Sequence, residues 1–357
     1  MSEHPRHRPL LPDEVQARTD ELSRPGPKPH PRLVTRVSGS ERPSPKVHVV
    51  QDGDDGWKVE VDLTGAVVEP RRGLTVGAME QSPRSAHASG QLDGYLPDGV
   101  AVSVHPDTTQ IGGRPVTISG PGGRVYDPLV VFPGDGRRLL TDNSWPWRLT
   151  GLVTTSDGNS GSGVLIGDRL MLTAHHMRPS NSIGRGSWWM TFTPNADLGT
   201  APFGSSSVSD LRHYDDESDA DYVAGHDFML CRLYEPLGAR IGYLGATIFN
   251  DDWRGLGVWD NIGYPGDVGG GQRPAVQFNQ SMEDDSEDDS GQIIETEASL
   301  NHGNSGGPFF SWFTDAHVRL CSVVSSETSF SGDFDNALAG GDDMISLIEW
   351  GRANWPV

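Results

Sequence analysis

At 357 residues with 45 Gly, 26 Pro and 35% hydrophobic residues, the chain has room for a two-barrel body plus an extension. Its net charge of −21 is uneven: residues 1–46 hold nine Lys/Arg and six Asp/Glu, leaving 19 against 43 in the rest. So acidic a body repels nucleic acid and anionic membrane, and no apolar run approaches the ~18 residues that span a bilayer, so neither partner is expected.

Residues 1–45 carry nine of the 26 prolines, including PGPKPHP at 25–31, a density that predicts a largely disordered leader. One helix is expected within it, over 12–23. Pro12 suits its first position, Asp13 and Glu14 follow in the first turn, and Leu11, Val15 and Leu22 supply apolar contacts. The opening MSEHPRHRPLLPDEV lacks the continuous apolar core of a secretion signal, so a cytoplasmic location is expected unless another export route serves. From Lys46 the pattern changes. VHVV, a Gly-Asp-Asp-Gly turn and WKVEVDL read as a hairpin, and VAVSV and PVTIS add short strands toward Val131. The stretch 46–134 is thus a β-rich extension, and a prosegment, an accessory β-unit or an inhibitory cover all fit it.

From 135 to 357 strands dominate: RLTGLVT, SGVLIGDRLMLTA, WWMTFTP, HDFMLCRL, GVWDNIGYP, QIIETEA, PFFSWF and VRLCSVVSS. The end, DDMISLIEWGRANW, has a helical pattern, with Asp342 or Asp343 as cap and Ile345, Leu347 and Ile348 near one face. Short strands closed by one C-terminal helix predict an all-β double barrel rather than a βαβ fold. Cys231 and Cys321 read as small buried thiols, with a bridge between them left open. The acidic run MEDDSEDDSG (282–291) reads as a solvated loop, calcium binding being the sharper alternative. His213, His226 and His302 lack zinc spacing, and no metal or cofactor is expected.

Three segments carry chemistry. In VLIGDRLMLTAHHM a strand ends in Thr-Ala before His176; in HDFMLCRL, Asp227 opens an apolar strand; in LNHGNSGGPFF, Ser305 sits in a glycine-rich turn. The separations, 51 and then 78 residues, suit three segments meeting between two barrels, in the order His, Asp, Ser. A serine hydroxyl is a poor nucleophile at neutral pH, so an imidazole must take its proton, and a buried carboxylate must hold that imidazole's tautomer. The negative charge of an acyl-transfer intermediate would meet the backbone N–H groups of Gly303 and Ser305. His175 is the rival base. Asp219, Asp221 and Asp260 lack the apolar run that follows Asp227. GNSGG also satisfies the nucleophile-elbow pattern G-x-S-x-G, but Gly306-Gly307-Pro308 would not start the helix that an elbow needs. Ser160, in the similar GNSGSG at 158–163, reads as a strand-turn residue.

LTAHHM, HDFML and GNSGGP resemble the three triad motifs of trypsin-like serine peptidases. The bacterial glutamyl endopeptidase branch is the nearer likeness, through SWPWRLTGLV, EPLGARIGYLG and IGYPGD at 262–267. The resemblance spans about 135–357 and implies a chymotrypsin-like double barrel and a serine endopeptidase acting on protein or peptide substrates. It also implies a pocket near Ser299, Leu300, His302, Val324, Ser325 and Glu327. No histidine stands at the positions matching the branch's carboxylate-binding histidine. An apolar residue before the scissile bond is therefore expected, with a basic one second, while His302 at the rim could still meet an acidic one. Trypsin-like zymogens have Asp where Asn304 stands, and an amide cannot pair with a freshly cut N-terminus. Regulation is accordingly expected through a partner or self-inhibition by the extension, making a 135–357 fragment at least as active as the full chain. A binding or regulatory protein with weak or no hydrolysis is the alternative function.

Overall fold

The computed structural model describes residues 7–23, 46–52, 56–62, 75–79, 90–111, 131–132, 135–214, 224–282, 284–288, 291–328 and 335–355. They fall into two units, Met1–Pro25 with Thr75–Val357, and Gly26–Leu74. The smaller unit contains an antiparallel hairpin of β1 (Lys46–Asp52) and β2 (Gly56–Asp62), in which Val47 faces Val61 and Val49 faces Val59.

In the larger unit, β3 (Thr75–Met79), β4 (Gln91–Leu92), β5 (Thr108–Gln110) and β6 (Arg138–Leu140) come first. Then β7 (Thr150–Thr155), β8 (Ser160–Gly167), β9 (Leu170–Thr173), β10 (Met190–Pro194), β11 (Ser206–Tyr214) and β12 (Met229–Leu233) follow. They run in the order β10-β7-β8-β9-β12-β11, and β10 pairs back onto β11 at Thr191↔Ser207, closing a barrel. By register Val153, Leu165, Met171 and Phe192 share one face of these strands and Val164, Leu172 and Leu230 the other, all fully buried. Each such side chain contributes about 1.5–3 kcal/mol of burial.

The second sheet comprises β13 (Gly245–Thr247), β14 (Trp259–Gly263), β15 (Ala275–Gln280), β16 (Asp284–Asp288), β17 (Gly291–Thr296), β18 (Pro308–Trp312), β19 (Val318–Thr328) and β20 (Asp335–Gly340), joined by β4, β5 and β6. An aromatic core of Phe249, Trp253, Trp259, Phe309 and Phe313 sits on it. Among the described residues no helix is long and apolar enough to cross a membrane.

Several local expectations change. The helix is present at Pro12–Ser23, and just before it Leu10 N–H donates to the Trp312 carbonyl at 2.7 Å and Thr314 N–H to that of Arg8 at 3.0 Å. VAVSV forms only an isolated bridge, Val102 to Trp145, and PVTIS lies outside the described residues. The acidic run does not loop freely: Asp284–Asp288 pairs with β17 as an edge strand. The C-terminal helix spans Asp342–Asn354, and its cap is Gly341 at φ 99°, not either aspartate. Asp343 instead bonds outward from the first turn, as described below. Cys231 and Cys321 are both free and buried, one on β12 and one on β19, and burial pushes both thiols up.

Candidate active site

The strand β9 ends at Thr173, and a single 3-10 turn, His175–Met177, delivers the two histidines to opposite surroundings. His176 Nδ1 lies 2.7 Å from Asp227 Oδ2, and the His176 backbone N–H donates to Asp227 Oδ1 at 2.9 Å. The carboxylate is fully buried, whereas the imidazole is 36% exposed, so one ring edge reaches solvent. Burial works against a charged His176 ring, but the charge of Asp227 and its hydrogen bond outweigh that, and the pKa is held above the ordinary histidine value. His175 is stacked on His213 with ring centres 4.3 Å apart, and its Nε2 is buried with no hydrogen-bond partner among the described residues. Burial first, then His213, pushes its pKa down to about 4. Of the two histidines, the geometry therefore pairs His176 with the carboxylate.

Asp227 follows the 3-10 turn Ala224–His226 and precedes β12. Ser325 Oγ donates to its Oδ2 at 2.7 Å. His226, one residue earlier, places Nε2 at 2.9 Å from Asp343 Oδ2, both side chains buried. The C-terminal helix thus grips the turn that presents Asp227. Asp219 and Asp221 lie outside the described residues.

Ser305 sits between β17 and β18. Gly303 (φ 96°) and Gly306 (φ 81°) adopt conformations that disfavour a side chain. Space is equally restrictive: a Cβ on Gly303 would collide with the Tyr264 carbonyl, and one on Gly306 with Thr173 Oγ1 and the Ser162 carbonyl. The Ser305 turn therefore packs directly on the strand that leads to His176. No hydrogen bond joins Ser305 Oγ to His176 among the described residues; such bonds often tighten only when substrate binds. Asn304 is buried, and its Oδ1 accepts from Asn301 N–H at 3.1 Å, so the amide braces the turn.

The expected pocket residues separate. Leu300 and Val324 are fully buried in the core of the second sheet. Ser299 Oγ accepts from Phe132 N–H at 3.1 Å, while Gln277 bonds the Ser299 carbonyl at 2.6 Å and its N–H at 3.1 Å. His302 is exposed, and its carbonyl accepts from Gly266 N–H at 2.7 Å. Ser325 turns to Asp227, and the Glu327 side chain lies outside the described ones.

Sequence reading passed over Ser162, which reaches the Ser305 turn from β8: its Oγ donates to the Gly303 carbonyl at 2.6 Å. A small polar residue flanked by glycines inside an otherwise apolar strand was the available signal. Metal donors converge at Asp93, Asp315 and His317, but the Arg319 guanidinium already pairs with both aspartates at 2.6 and 2.7 Å, which supplies the cation there.

No family model matches the chain, and no curated protein matches it. Among solved structures, a Glu endopeptidase in complex with MPD is 19% identical with a TM-score of 0.50, covering 63% of this chain and 100% of that one. The protease Anisep from Arthrobacter nicotinovorans is 18% identical with a TM-score of 0.42, covering 55% of this chain and 91% of that one. The thermostable serine protease AL20 from an extremophilic microorganism is 18% identical with a TM-score of 0.44, covering 58% and 98%. The first of these likenesses identifies the fold as a chymotrypsin-like double β-barrel similar to that of the Glu endopeptidase.

Proposed function

We propose that this chain is a serine endopeptidase. The observation that carries the proposal is the bond from His176 Nδ1 to the buried Asp227 carboxylate, with the turn of Ser305 packed on the same strand end. In this reading Ser305 Oγ attacks the scissile carbonyl carbon while its proton passes to His176 Nε2. The oxyanion is met by the Gly303 and Ser305 N–H groups. The tetrahedral intermediate collapses, the C–N bond breaks, and His176 returns the proton to the leaving amine. Water then repeats the sequence on the acyl-enzyme and releases the acid. Asp227 keeps the Nδ1–H tautomer and stabilises the imidazolium; Ser325 orients Asp227.

For the substrate, the neutral groups near Ser299 support an uncharged pocket floor and an apolar residue before the scissile bond. The side chains of Ser299 and Gln277 are spent on backbone partners, and Leu300 and Val324 on the core.

Labelling of the full chain with a fluorophosphonate tests the proposal. Wild type should label at Ser305 and Ser305→Ala should not. A folded wild type that stays unlabelled would favour a binding protein on a peptidase fold.

A further inference from the structure

A trans peptide unit is planar, so its C=O and N–H point in opposite directions, and holding the carbonyl of one residue aims the N–H of the next. The N–H groups proposed to meet the oxyanion, those of Gly303 and Ser305, therefore share their planes with the His302 and Asn304 carbonyls. Each of these carbonyls accepts from a backbone N–H: that of His302 from Gly266 at 2.7 Å, and that of Asn304 from Gly307 at 2.7 Å. The second bond lies within the Ser305 turn. The first comes from a separate segment, 264–267, which leaves β14 on the way to β15. The same segment presses on Gly303, where a Cβ would strike the Tyr264 carbonyl and lie 3.5 Å from Gly266 N.

One side chain from elsewhere in the chain grips this segment. Arg137, the residue before β6, reaches Asp267 with both Nη atoms, Nη1 to Oδ1 at 2.9 Å and Nη2 to Oδ2 at 2.6 Å. The two side chains are only 1% and 2% exposed. Asp135 takes the rest of the guanidinium, from Nε at 2.9 Å and Nη2 at 2.7 Å. A bidentate pair of this kind fixes direction as well as distance. Burying the two charges carries a desolvation cost that offsets their attraction, so net stability is a poor reason for the pair. Its position supplies a better one: the clamped carboxylate belongs to the residue directly after Gly266.

We infer that Arg137, through Asp267, is a positioning residue for the proposed acyl transfer: it fixes the 264–267 segment, whose Gly266 N–H holds the His302 carbonyl and so aims the Gly303 N–H at the oxyanion. The inference rests on the peptidase reading. With the clamp broken the segment can shift, and the His302–Gly303 peptide loses its anchor. A donor that must be reoriented during the reaction loses the advantage of preorganisation. β6 lies between β15 and β5 of the extension, so the clamp also ties the junction of extension and barrel to this peptide.

The test uses the full chain with Arg137→Met, Arg137→Lys and the double variant Arg137→Met/Asp267→Asn. The double variant leaves no uncompensated charge at Asp267, and it is measured where Arg137→Met alone does not fold. Circular dichroism and a cooperative melt establish folding. The expected result is a fall in kcat of about 100-fold on a peptide ester with KM changed less than about threefold, the pattern of an interaction made only in the transition state. Affinity for a peptide boronic acid, whose tetrahedral adduct on Ser305 places a negative oxygen where the oxyanion forms, should fall in parallel. Arg137→Lys keeps the charge without the fork and should lie between Arg137→Met and wild type. Folded variants with wild-type kcat and boronate affinity overturn the inference and leave the peptidase reading intact. A rise in KM as large as the fall in kcat also overturns it, since substrate binding would then be what the clamp serves. A wild type that neither hydrolyses the ester nor labels with a fluorophosphonate overturns both.

Discussion

His226 Nε2 lies 2.9 Å from Asp343 Oδ2, and this contact joins the C-terminal helix to the turn that presents Asp227. Asp343 stands in the first turn of that helix, and the helix lies against the first barrel, where a Cβ on Gly351 would press on Leu230 and Leu170. The position of Asp227 is therefore supported from outside the barrel as well as by Ser325.

Replacing Asp343 by alanine leaves the buried His226 ring without that partner. A buried polar group left unsatisfied costs about 1–3 kcal/mol, so chemical denaturation of Asp343→Ala should show a loss of that order. Activity should fall with it, and a variant as stable as wild type would show that the contact is incidental.

Asp227→Asn keeps the shape of the carboxylate but not its charge or its preference for the Nδ1–H tautomer. A loss of about 10⁴-fold in kcat is expected, with the fold retained by circular dichroism. A loss under tenfold would place the orienting role elsewhere.

The pH dependence follows from the same pair. Asp227 raises the His176 pKa above the ordinary 6.5, and only the neutral ring accepts a proton. The rate kcat/KM should therefore fall as pH drops through a value above 6.5. An acid limb lying at or below 6.5 would contradict the assignment of His176 as base.

Asp260 offers a test on stability rather than catalysis. Burial pushes its pKa up to about 7, against a hydrogen bond donated by Asn279 N–H at 3.2 Å. The folded chain then keeps a proton that the unfolded chain has released above the ordinary 3.8, so stability falls as pH rises between these values. Asp260→Asn should melt higher than wild type at pH 8, with the difference vanishing near pH 4. Equal melting at both values would mean that the carboxyl is solvated.

The extension bears on how the chain can be cut. β3 pairs with β11, β4 with β13 and β5 with β6. Excising 1–134 exposes those edges, so the remaining 135–357 fragment should melt lower than the full chain and be less active per molecule. A stable fragment with raised kcat/KM would instead identify the extension as an inhibitory cover.

Much of the site is written in local sequence because its parts are local. LTAHH, HDFML and GNSGG each combine a turn with a strand end, and continuous apolar runs mark β8, β9 and β12. β11 (SSVSDLRHY) and β20 (DNALAG) are less legible. Their residues are polar or small, and they become strands through their neighbours: β11 pairs with β12, and β20 lies between β17 and β19.

What the sequence determined by itself was the glycine-rich turn at Ser305, the chain order of His176, Asp227 and Ser305, and the all-β class. These follow from residue types at short range and from apolar spacing. The tertiary structure decided which histidine meets Asp227, that Ser325 serves this carboxylate, and that Ser162 and Asp343 reach the site from distant strands and helix. Those are contacts across 51 to 141 residues of chain, set by how sheets and helix pack. A hydrogen bond of that span leaves no periodicity in the sequence, so only the folded chain reveals it.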